Sequence, residues 1–242
     1  MEAAAAPGHA LIIGASSGIG RAVAERLAPR LPVTAMARRL DRLEQFAPLG
    51  VDIVACDATD FEALARAVEA AVAKRGKISS FVLCAGLQKI KPLRITKPDE
   101  IGELLRVNLQ LPLVVGGLFT SRKLTADDAV LCAVSSIAAT RPEPGIVAYA
   151  AAKAGLEAMV RGLAREAAPR RVVAVAPGWL DTEMTQSYSN IYNEEFRERL
   201  GKSAPGGIAT VDSVVDCIEF LLSPAARFIT GEVIRVDGGA VL

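Results

Sequence analysis

The sequence predicts an α/β fold in which a doubly wound parallel sheet of about seven strands is covered by helices on both faces. Short apolar runs alternate along the chain with segments of helical periodicity. The runs are continuously apolar, which is typical of strands buried on both faces. A glycine-rich turn joins the first run to the first helical segment. In such a sheet, ligands bind beyond the carboxyl ends of the strands, where the strand order reverses.

Seven runs rich in Val, Ile, Leu and Ala are the predicted strands: Ala10–Ile13, Pro32–Ala37, Val51–Ala55, Ser80–Cys84, Ala129–Val134, Val172–Ala176 and Val233–Val236. Apolar residues at helical spacing lie between them, as in Ile19, Val23 and Leu27, in Leu64, Val68 and Val72, in Leu156, Met159, Val160, Leu163 and Ala167, and in Val214, Val215, Ile218, Leu221 and Leu222. No repeat or linker interrupts this alternation, so we expect a single domain over residues 1–242.

Composition excludes several classes of protein. The 242 residues include 28 basic and 27 acidic side chains, a balance that argues against binding to nucleic acid or to a charged membrane surface. The longest uncharged stretch, Val107–Ser121, is shorter than the roughly 20 residues that a membrane helix needs, and no secretory signal is visible. Four scattered cysteines and a single histidine, His9, favour a reduced cytoplasm and predict neither a disulfide framework nor a metal site.

The glycine-rich turn predicts a dinucleotide site. It follows the first strand and opens the first helix, and its candidate contacts are Gly14, Ser16, Ser17, Gly18, Ile19 and Gly20. Glycines let the backbone approach a pyrophosphate, and the helix N-terminus presents free N–H groups to it. The alternative is an ordinary turn between a strand and a helix.

The end of the second strand favours NADP(H) over NAD(H). Arg38 and Arg39 stand where an NAD site has an acid for the ribose hydroxyl, and guanidinium groups can instead bind a 2′-phosphate. Alternatively, one of them, Arg39 in particular, is only solvated. After the third strand, Asp57 could accept a hydrogen bond from the adenine amino group, or it could cap the helix that starts near Asp60.

Four polar residues form the candidate catalytic set. Tyr149 and Lys153 share a helix face because they are four residues apart. An ammonium beside a phenol lowers the phenol pKa from about 10, so the sequence predicts a proton donor or acceptor. Ser136 ends the fifth strand and could hold a substrate oxygen, and Asn108 could fix a water near Lys153. Taken singly, each could instead serve surface packing, a turn or a cap.

Together with their order along the chain, these motifs resemble the short-chain dehydrogenase/reductase family, of the single-domain Rossmann type. The resemblance covers the glycine turn, Asp57 and Ala58, Cys84-Ala85-Gly86, Asn108, Ser136, Tyr149, Lys153, Pro177-Gly178 and Val236-Asp237-Gly238-Gly239. It implies that Tyr149 acts as the general acid in carbonyl reduction and that Lys153 assists it and holds the nicotinamide ribose. It further implies that Ser136 stabilises the substrate oxygen and that Asn108 supports a proton relay. Pro177, Gly178, Leu180 and Thr182 would wall the nicotinamide, and no metal is needed.

The sequence departs from the family pattern at two positions. Ile13 stands where the family has threonine, and Cys84 replaces the asparagine of the fourth-strand motif. A cysteine lacks the amide that would brace the neighbouring strand, so we expect weaker ordering there and retained activity.

The substrate is left open. The segment at about 183–206 resembles the family's substrate lid, and its aromatic residues indicate an apolar pocket or mere packing of the lid. The chain is similar to 3-oxoacyl carrier-protein reductases, in which two basic residues meet an acidic carrier; Arg170 matches one, whereas Asp127 has the wrong sign. An acyl thioester is the leading substrate, with a free ketone, sugar or secondary metabolite as the alternative. A non-catalytic dinucleotide sensor is a further alternative.

The resemblance also implies a homotetramer or dimer, compatible with the apolar run Leu109–Phe119.

Overall fold

The computed structural model describes residues 8–188 and 190–241 and is built around one parallel sheet. Its strands are β1 His9–Ile13, β2 Val33–Ala37, β3 Asp52–Ala55, β4 Ile78–Leu83, β5 Thr125–Val134, β6 Arg171–Pro177 and β7 Val233–Val236. They are arranged in the order β3-β2-β1-β4-β5-β6-β7, and every neighbouring pair is parallel. The predicted α/β class is therefore confirmed, and the order reverses between β1 and β4.

Helices cover both faces of the sheet. They are α1 Gly18–Leu27, α2 Leu40–Leu43, α3 Phe61–Arg75, α4 Pro98–Leu105, α5 Leu111–Thr120, α6 Val147–Glu166, α7 Glu183–Gln186, α8 Glu194–Ser203 and α9 Val211–Leu222. Short 3₁₀ segments lie at Glu44–Leu49, Leu93–Ile95, Ile137–Ala139 and Pro224–Ala226, and a π-helical turn, Arg106–Gln110, joins α4 to α5.

Two hydrophobic cores, one on each side of the sheet, explain the continuous apolar strands. In β1, Ala10 and Ile12 pack with α1 and α9, whereas Leu11 and Ile13 pack with α3, α5 and α6. Because successive side chains of a strand point to opposite faces, both sets of positions must be apolar. The carboxyl ends of the strands are thereby fixed at one edge.

Strand β5 begins four residues before the predicted Ala129. Thr125 pairs with Ile78 of β4, and the register shifts before Val130 pairs with Ser80. The extra residues include the exposed Asp127 and Asp128, which lie within this register shift and whose polar side chains interrupt the apolar pattern of the strand.

The continuous helical segment Pro98–Thr120 is long and apolar enough, by length and composition alone, to cross a membrane. Leu111, Val115 and Phe119 of this segment are nevertheless buried in the core beneath the sheet. Leu105 and Leu113 are exposed on its outer face. The segment is therefore the core helix of one layer, with an apolar outer face.

Candidate active site

A cavity of about 870 Å³ opens at the carboxyl ends of the strands, where the strand order reverses. Most of the predicted site residues line it: Gly14, Ser16, Ser17, Gly18, Ile19, Gly20, Arg38, Arg39, Asp57, Ala58, Cys84, Ala85, Gly86, Ser136, Tyr149, Lys153, Pro177, Gly178, Leu180 and Thr182. Asn108 lies behind this wall. Side chains far apart in the sequence thus meet in one cleft, as expected for this topology.

The turn after β1 requires glycine for two different reasons. Gly14 has a φ of 92°, and a Cβ there would lie 2.4 Å from the backbone N of Ala85. At Gly20 a Cβ would lie 2.2 Å from the carbonyl oxygen of Gly14. Tight packing of the turn against β4 and α1 therefore excludes larger residues.

The N-terminus of α1 faces the cavity with free donors. Ser17 is the N-cap residue but makes no side-chain cap hydrogen bond, and the first turn holds no acid. Unsatisfied N–H groups and the positive end of a helix bind anions. With Gly18 presenting no side chain to the cleft, this part of the structure fits a pyrophosphate.

The arginines after β2 divide their contacts. Arg39 donates to Ser16 Oγ at 3.1 Å and lies 3.7 Å from the Glu183 carboxylate. Arg42 forms an ion pair with the same carboxylate. Arg38 is exposed at the cavity, and its charge acts on Asp57. Arg38 is therefore the better placed of the two predicted arginines for a 2′-phosphate, and Arg42 is a charged neighbour that sequence reasoning missed.

Asp57 and Asp60 have different tasks. Asp60 caps α3 by accepting a hydrogen bond from the Ala63 N–H at 3.0 Å. Asp57 accepts from the Thr59 N–H at 2.9 Å and from Thr59 Oγ1 at 2.8 Å. Burial alone would raise the pKa of Asp57, but these hydrogen bonds and nearby arginine charges lower it. The alternative that Asp57 caps α3 is wrong, because the cap is Asp60.

Tyr149 and Lys153 lie on the first turns of α6 and are buried, at 8% and 3% exposure. Ser136 lies two residues after the end of β5 and is the N-cap of a 3₁₀ turn, where its Oγ accepts a hydrogen bond from the Ala138 N–H at 3.2 Å. That bond uses a lone pair of Ser136, so its hydroxyl proton remains available for a second hydrogen bond, and the Tyr149 phenol lies within reach.

Asn108 is fully buried in the π-helical turn. Its Nδ2 donates to the carbonyl oxygens of Leu87, at 2.7 Å, and Leu104, at 3.0 Å, while its Oδ1 accepts from the Leu87 N–H at 3.2 Å. Asn108 thus braces the loop after β4, beside Gly86. A π-helical turn at a functional residue is a recurrent arrangement.

The expected fall in the Tyr149 pKa does not occur. Burial raises the pKa of Tyr149 to about 12, against the opposing effect of the neighbouring Ser136 hydroxyl. Burial also lowers the pKa of Lys153 to about 8. The Lys153 Nζ donates to the Val134 carbonyl oxygen at 2.7 Å and lies 5.7 Å from the centroid of the Tyr149 ring. Loss of hydration therefore outweighs the hydrogen bond from Ser136, and the phenol stays protonated.

Cys84 is a poor nucleophile. Burial raises the pKa of its thiol to about 12, despite the opposing charge of Lys153. Since the thiolate is the reactive form, the side chain serves packing. The Cys84 side chain fills the space beside Gly20. A Cβ added at Gly20 would lie 3.0 Å from the Cβ of Cys84.

The lid, residues 183–206, closes the cavity with aromatic rings. The rings of Tyr192 and Phe196 pack at a tilt with their centroids 4.9 Å apart, and each lies 5.9 Å from Trp179. The guanidinium of Arg197 lies 5.2 Å from the centroid of Trp179. The Nε1 of Trp179 is buried without an acceptor among the described residues. This aromatic cluster makes the roof of the cavity apolar.

Arg170 is only 4% exposed and donates to the Ala126 carbonyl oxygen at 2.9 Å. Its Nη2 also lies 3.5 Å from Asp127. Arg170, the residue that matched a carrier-binding position, therefore makes its hydrogen bonds inside the protein. Its charge is paired with that of Asp127.

Sequence reasoning also missed a buried acid behind the catalytic set. Glu157 is 6% exposed and accepts a hydrogen bond from Ser135 Oγ at 2.9 Å. The available signal was its position on the apolar stripe of α6, one turn after Lys153.

Comparisons with known proteins agree with this geometry. Residues 14–241 match the family model described as enoyl-(acyl carrier protein) reductase. The chain is 33% identical to a 3-oxoacyl-(acyl-carrier-protein) reductase of Thermotoga maritima, over 96% of this chain and 97% of the relative. It is 28% identical to a gluconate 5-dehydrogenase of Gluconobacter oxydans, over 96% and 93%. A short-chain dehydrogenase/reductase from Brucella melitensis, solved as a crystal structure, has a TM-score of 0.89 at 27% identity and 97% coverage of both chains.

Proposed function

Since the chain belongs to the short-chain dehydrogenase/reductase family, we propose that it uses NADP(H) to interconvert an apolar ketone and its secondary alcohol. The observation that carries the proposal is the meeting of Ser136, Tyr149 and Lys153 in the cavity that the glycine turn opens.

The residues of this cavity fit a nicotinamide dinucleotide. The turn Gly14–Gly20 and the N-terminus of α1 would hold the pyrophosphate, and Arg38 would hold the 2′-phosphate. Asp57 and Ala58 would border the adenine. The segments Cys84–Gly86 and Pro177–Thr182 would wall the nicotinamide, with Lys153 on its ribose. When bound, the cofactor supplies or accepts the hydride.

The protein residues manage the proton and the carbonyl oxygen. Ser136 donates a hydrogen bond from its hydroxyl to that oxygen and polarises the C=O bond. Tyr149, neutral because its pKa is about 12, gives its proton to the same oxygen as the alcohol forms. The ammonium of Lys153 stabilises the resulting phenolate. Oxidation reverses this transfer and needs a deprotonated Tyr149, so its rate should rise with pH.

An acyl thioester is the substrate class that the lid suits best. Met184, Ile191 and Phe196 line the cavity with apolar surface, which suits an acyl chain better than a polyol. The burial of Arg170 argues that a carrier protein, if one delivers the chain, is not recognised through that side chain. A free apolar ketone is the second candidate, favoured by the same lid.

The test is a substrate screen that follows NADPH and NADH absorbance in parallel. We expect turnover with 3-oxoacyl thioesters or apolar ketones, a preference for NADPH, and little activity on gluconate-like polyols. A polyol preference would overturn the substrate class. Tight NADPH binding with no turnover of any carbonyl would favour a dinucleotide sensor.

The proposal extends to assembly and location. Leu105 and Leu113, on the outer face of the α4–α5 segment, and Val147, at the start of α6, are exposed apolar side chains. We propose that they join copies of the chain into a cytoplasmic homodimer or tetramer. Sedimentation velocity at micromolar concentration would show a monomer if this is wrong.

A further inference from the structure

A buried acid and a serine lie behind the proposed catalytic residues. Glu157 and Ser135 are 6% and 3% exposed, and Ser135 Oγ donates to Glu157 Oε1 at 2.9 Å. No step of the proposed reaction uses either side chain. Burying a carboxyl group costs free energy unless its partners compensate. The presence of Glu157 at this buried position therefore needs an explanation.

Two side chains of α6 hold consecutive residues at the end of β5. Lys153 Nζ donates to the Val134 carbonyl oxygen at 2.7 Å, and one helical turn later Glu157 accepts from Ser135. The next residue along the chain is Ser136. The placement of Ser136 relative to Tyr149 therefore depends on both contacts, because Tyr149 is on the same helix as Lys153 and Glu157.

The titratable groups that face Lys153 are Cys84 after β4, and Tyr149 and Glu157 on α6. Burial lowers the pKa of Lys153, whereas Cys84 and Glu157 raise it. Cys84 and Tyr149 are neutral near pH 7 because the pKa of each is about 12. Glu157, which lies one helical turn after Lys153 on α6 and is buried with it, is thus the carboxylate that can balance the buried ammonium.

We propose that Glu157 is a positioning residue for the reaction described under Proposed function, on which this inference rests. Through Ser135 it fixes the strand end that carries Ser136, and its negative charge keeps Lys153 protonated.

Four variants separate these two effects. Glu157→Gln removes the charge but keeps an oxygen for Ser135. Ser135→Ala removes the hydrogen bond but keeps the charge, and Glu157→Leu removes both. Glu166→Gln, at the exposed end of the same helix, is the matched control.

The charge is tested first, without cofactor or substrate. Protein labelled with ¹³C at the lysine ε-carbons is titrated by NMR, and a Lys153→Met variant assigns the signal. We expect Glu157→Gln to lower the Lys153 midpoint by about one pH unit, and Glu166→Gln to leave it unchanged. An unchanged midpoint in Glu157→Gln overturns the charge balance.

Positioning is tested by kinetics and by NADPH fluorescence binding. We expect Ser135→Ala and Glu157→Leu to lower kcat about tenfold with little change in the Kd of NADPH. Glu157→Gln, unlike Glu157→Leu, should keep a kcat close to that of the wild type near neutral pH. The alkaline limb of its pH–rate profile should shift down by about one pH unit. A wild-type kcat in Ser135→Ala, or equal losses in Glu157→Gln and Glu157→Leu, overturns the positioning role.

These experiments also separate this inference from the proposed function. If the wild-type protein turns over no carbonyl compound, the proposed function fails. The Lys153 titration, which needs no turnover, still decides whether Glu157 balances the ammonium.

Discussion

The sheet side of the cavity, formed by the loops after β1–β6 and the start of α6, is built differently from the lid. On the sheet side, backbone hydrogen bonds link neighbouring strand ends, such as Gly14 N to the Met36 oxygen at 2.9 Å and Ser135 N to the Val175 oxygen at 2.7 Å. The lid is largely exposed, and the ion pairs of Glu183 with Arg39 and Arg42 hold its first turn.

This contrast suits the two regions to different tasks: the sheet side to proton transfer and the lid to substrate selection. Proton transfer needs atoms held within a fraction of an ångström, which buried strand ends provide. Substrate choice needs a surface that can open, and exposed ion pairs, each worth about 0–1 kcal/mol, allow that. We therefore expect the same kind of substitution to have a large effect on the sheet side and a small effect in the lid.

The largest contrast is expected between two tyrosines. Tyr149→Phe removes the proposed proton donor, so kcat should fall about 1,000-fold while NADPH still binds. Tyr188→Phe removes only the hydrogen bond from the lid to the Gln88 carbonyl oxygen, 3.2 Å long, and should change kcat less than about threefold. Steady-state kinetics with the best ketone of the screen measures both. Comparable losses would show that the lid takes part in the chemistry.

Two glycines sharpen the comparison at the level of stability. Gly14→Ala forces a Cβ against the Ala85 backbone at a positive φ, so the free energy of unfolding should fall by about 3 kcal/mol. Gly201, in helix α8 of the lid, has no atom within 4 Å of an added Cβ. Gly201→Ala should stabilise by about 0.5 kcal/mol. Urea unfolding measures both, and a Gly14→Ala loss below about 1 kcal/mol would contradict the tight packing of the turn.

The proposed preference for NADP(H) over NAD(H) rests on contacts from both regions. Arg38→Leu should weaken NADPH binding about 10- to 100-fold, because a charged hydrogen bond is lost, and should leave NADH binding nearly unchanged. Glu183→Gln releases Arg39 and Arg42 from the lid carboxylate and should strengthen NADPH binding by about two- to fivefold. Fluorescence titration with both nucleotides measures these ratios. An equal loss for NADPH and NADH in Arg38→Leu would remove the argument for NADP(H).

The sequence predicts the sheet side better than the lid, for a physical reason. A strand buried on both faces must be apolar throughout, so the seven runs lie within a few residues of the observed strands. Glycines at a crowded turn also leave a readable pattern. Polar residues obscure the pattern most at β5, where Asp127 and Asp128 lie in the register shift between Thr125 and Val130.

The lid and the electrostatics were harder to predict because they depend on contacts between distant parts of the chain. Nothing near Glu183 in the sequence indicates Arg42, which is 141 residues away. The predicted direction of the Tyr149 pKa shift was wrong. The four-residue spacing reveals the neighbouring Lys153 charge, but it does not reveal that burial removes water from the phenol. Glu157 shows the same limit, since its partner Ser135 is known only once β5 and α6 pack together.

The smallest contrast concerns two acids and their pH dependence. Asp52, at the start of β3, has its pKa lowered to about 2, chiefly by the hydrogen bond from Arg75. A lowered carboxyl pKa contributes stability above pH 3.8 that is lost as the pH falls towards 2. Asp52→Asn should therefore cost about 1 kcal/mol at neutral pH after solvent screening, and the difference from wild type should shrink in acid.

Asp181, at the base of the lid, is the matched acid. Its pair with Arg197 is 3.5 Å long and its side chain is 50% exposed, so Asp181→Asn should change the unfolding free energy by less than about 0.3 kcal/mol at neutral pH. Urea unfolding at neutral and acidic pH compares the two variants. A loss in Asp181→Asn equal to that in Asp52→Asn would mean that the lid is held as firmly as the sheet. Substrate selection would then have to come from a preformed pocket, because a lid held that firmly would seldom open.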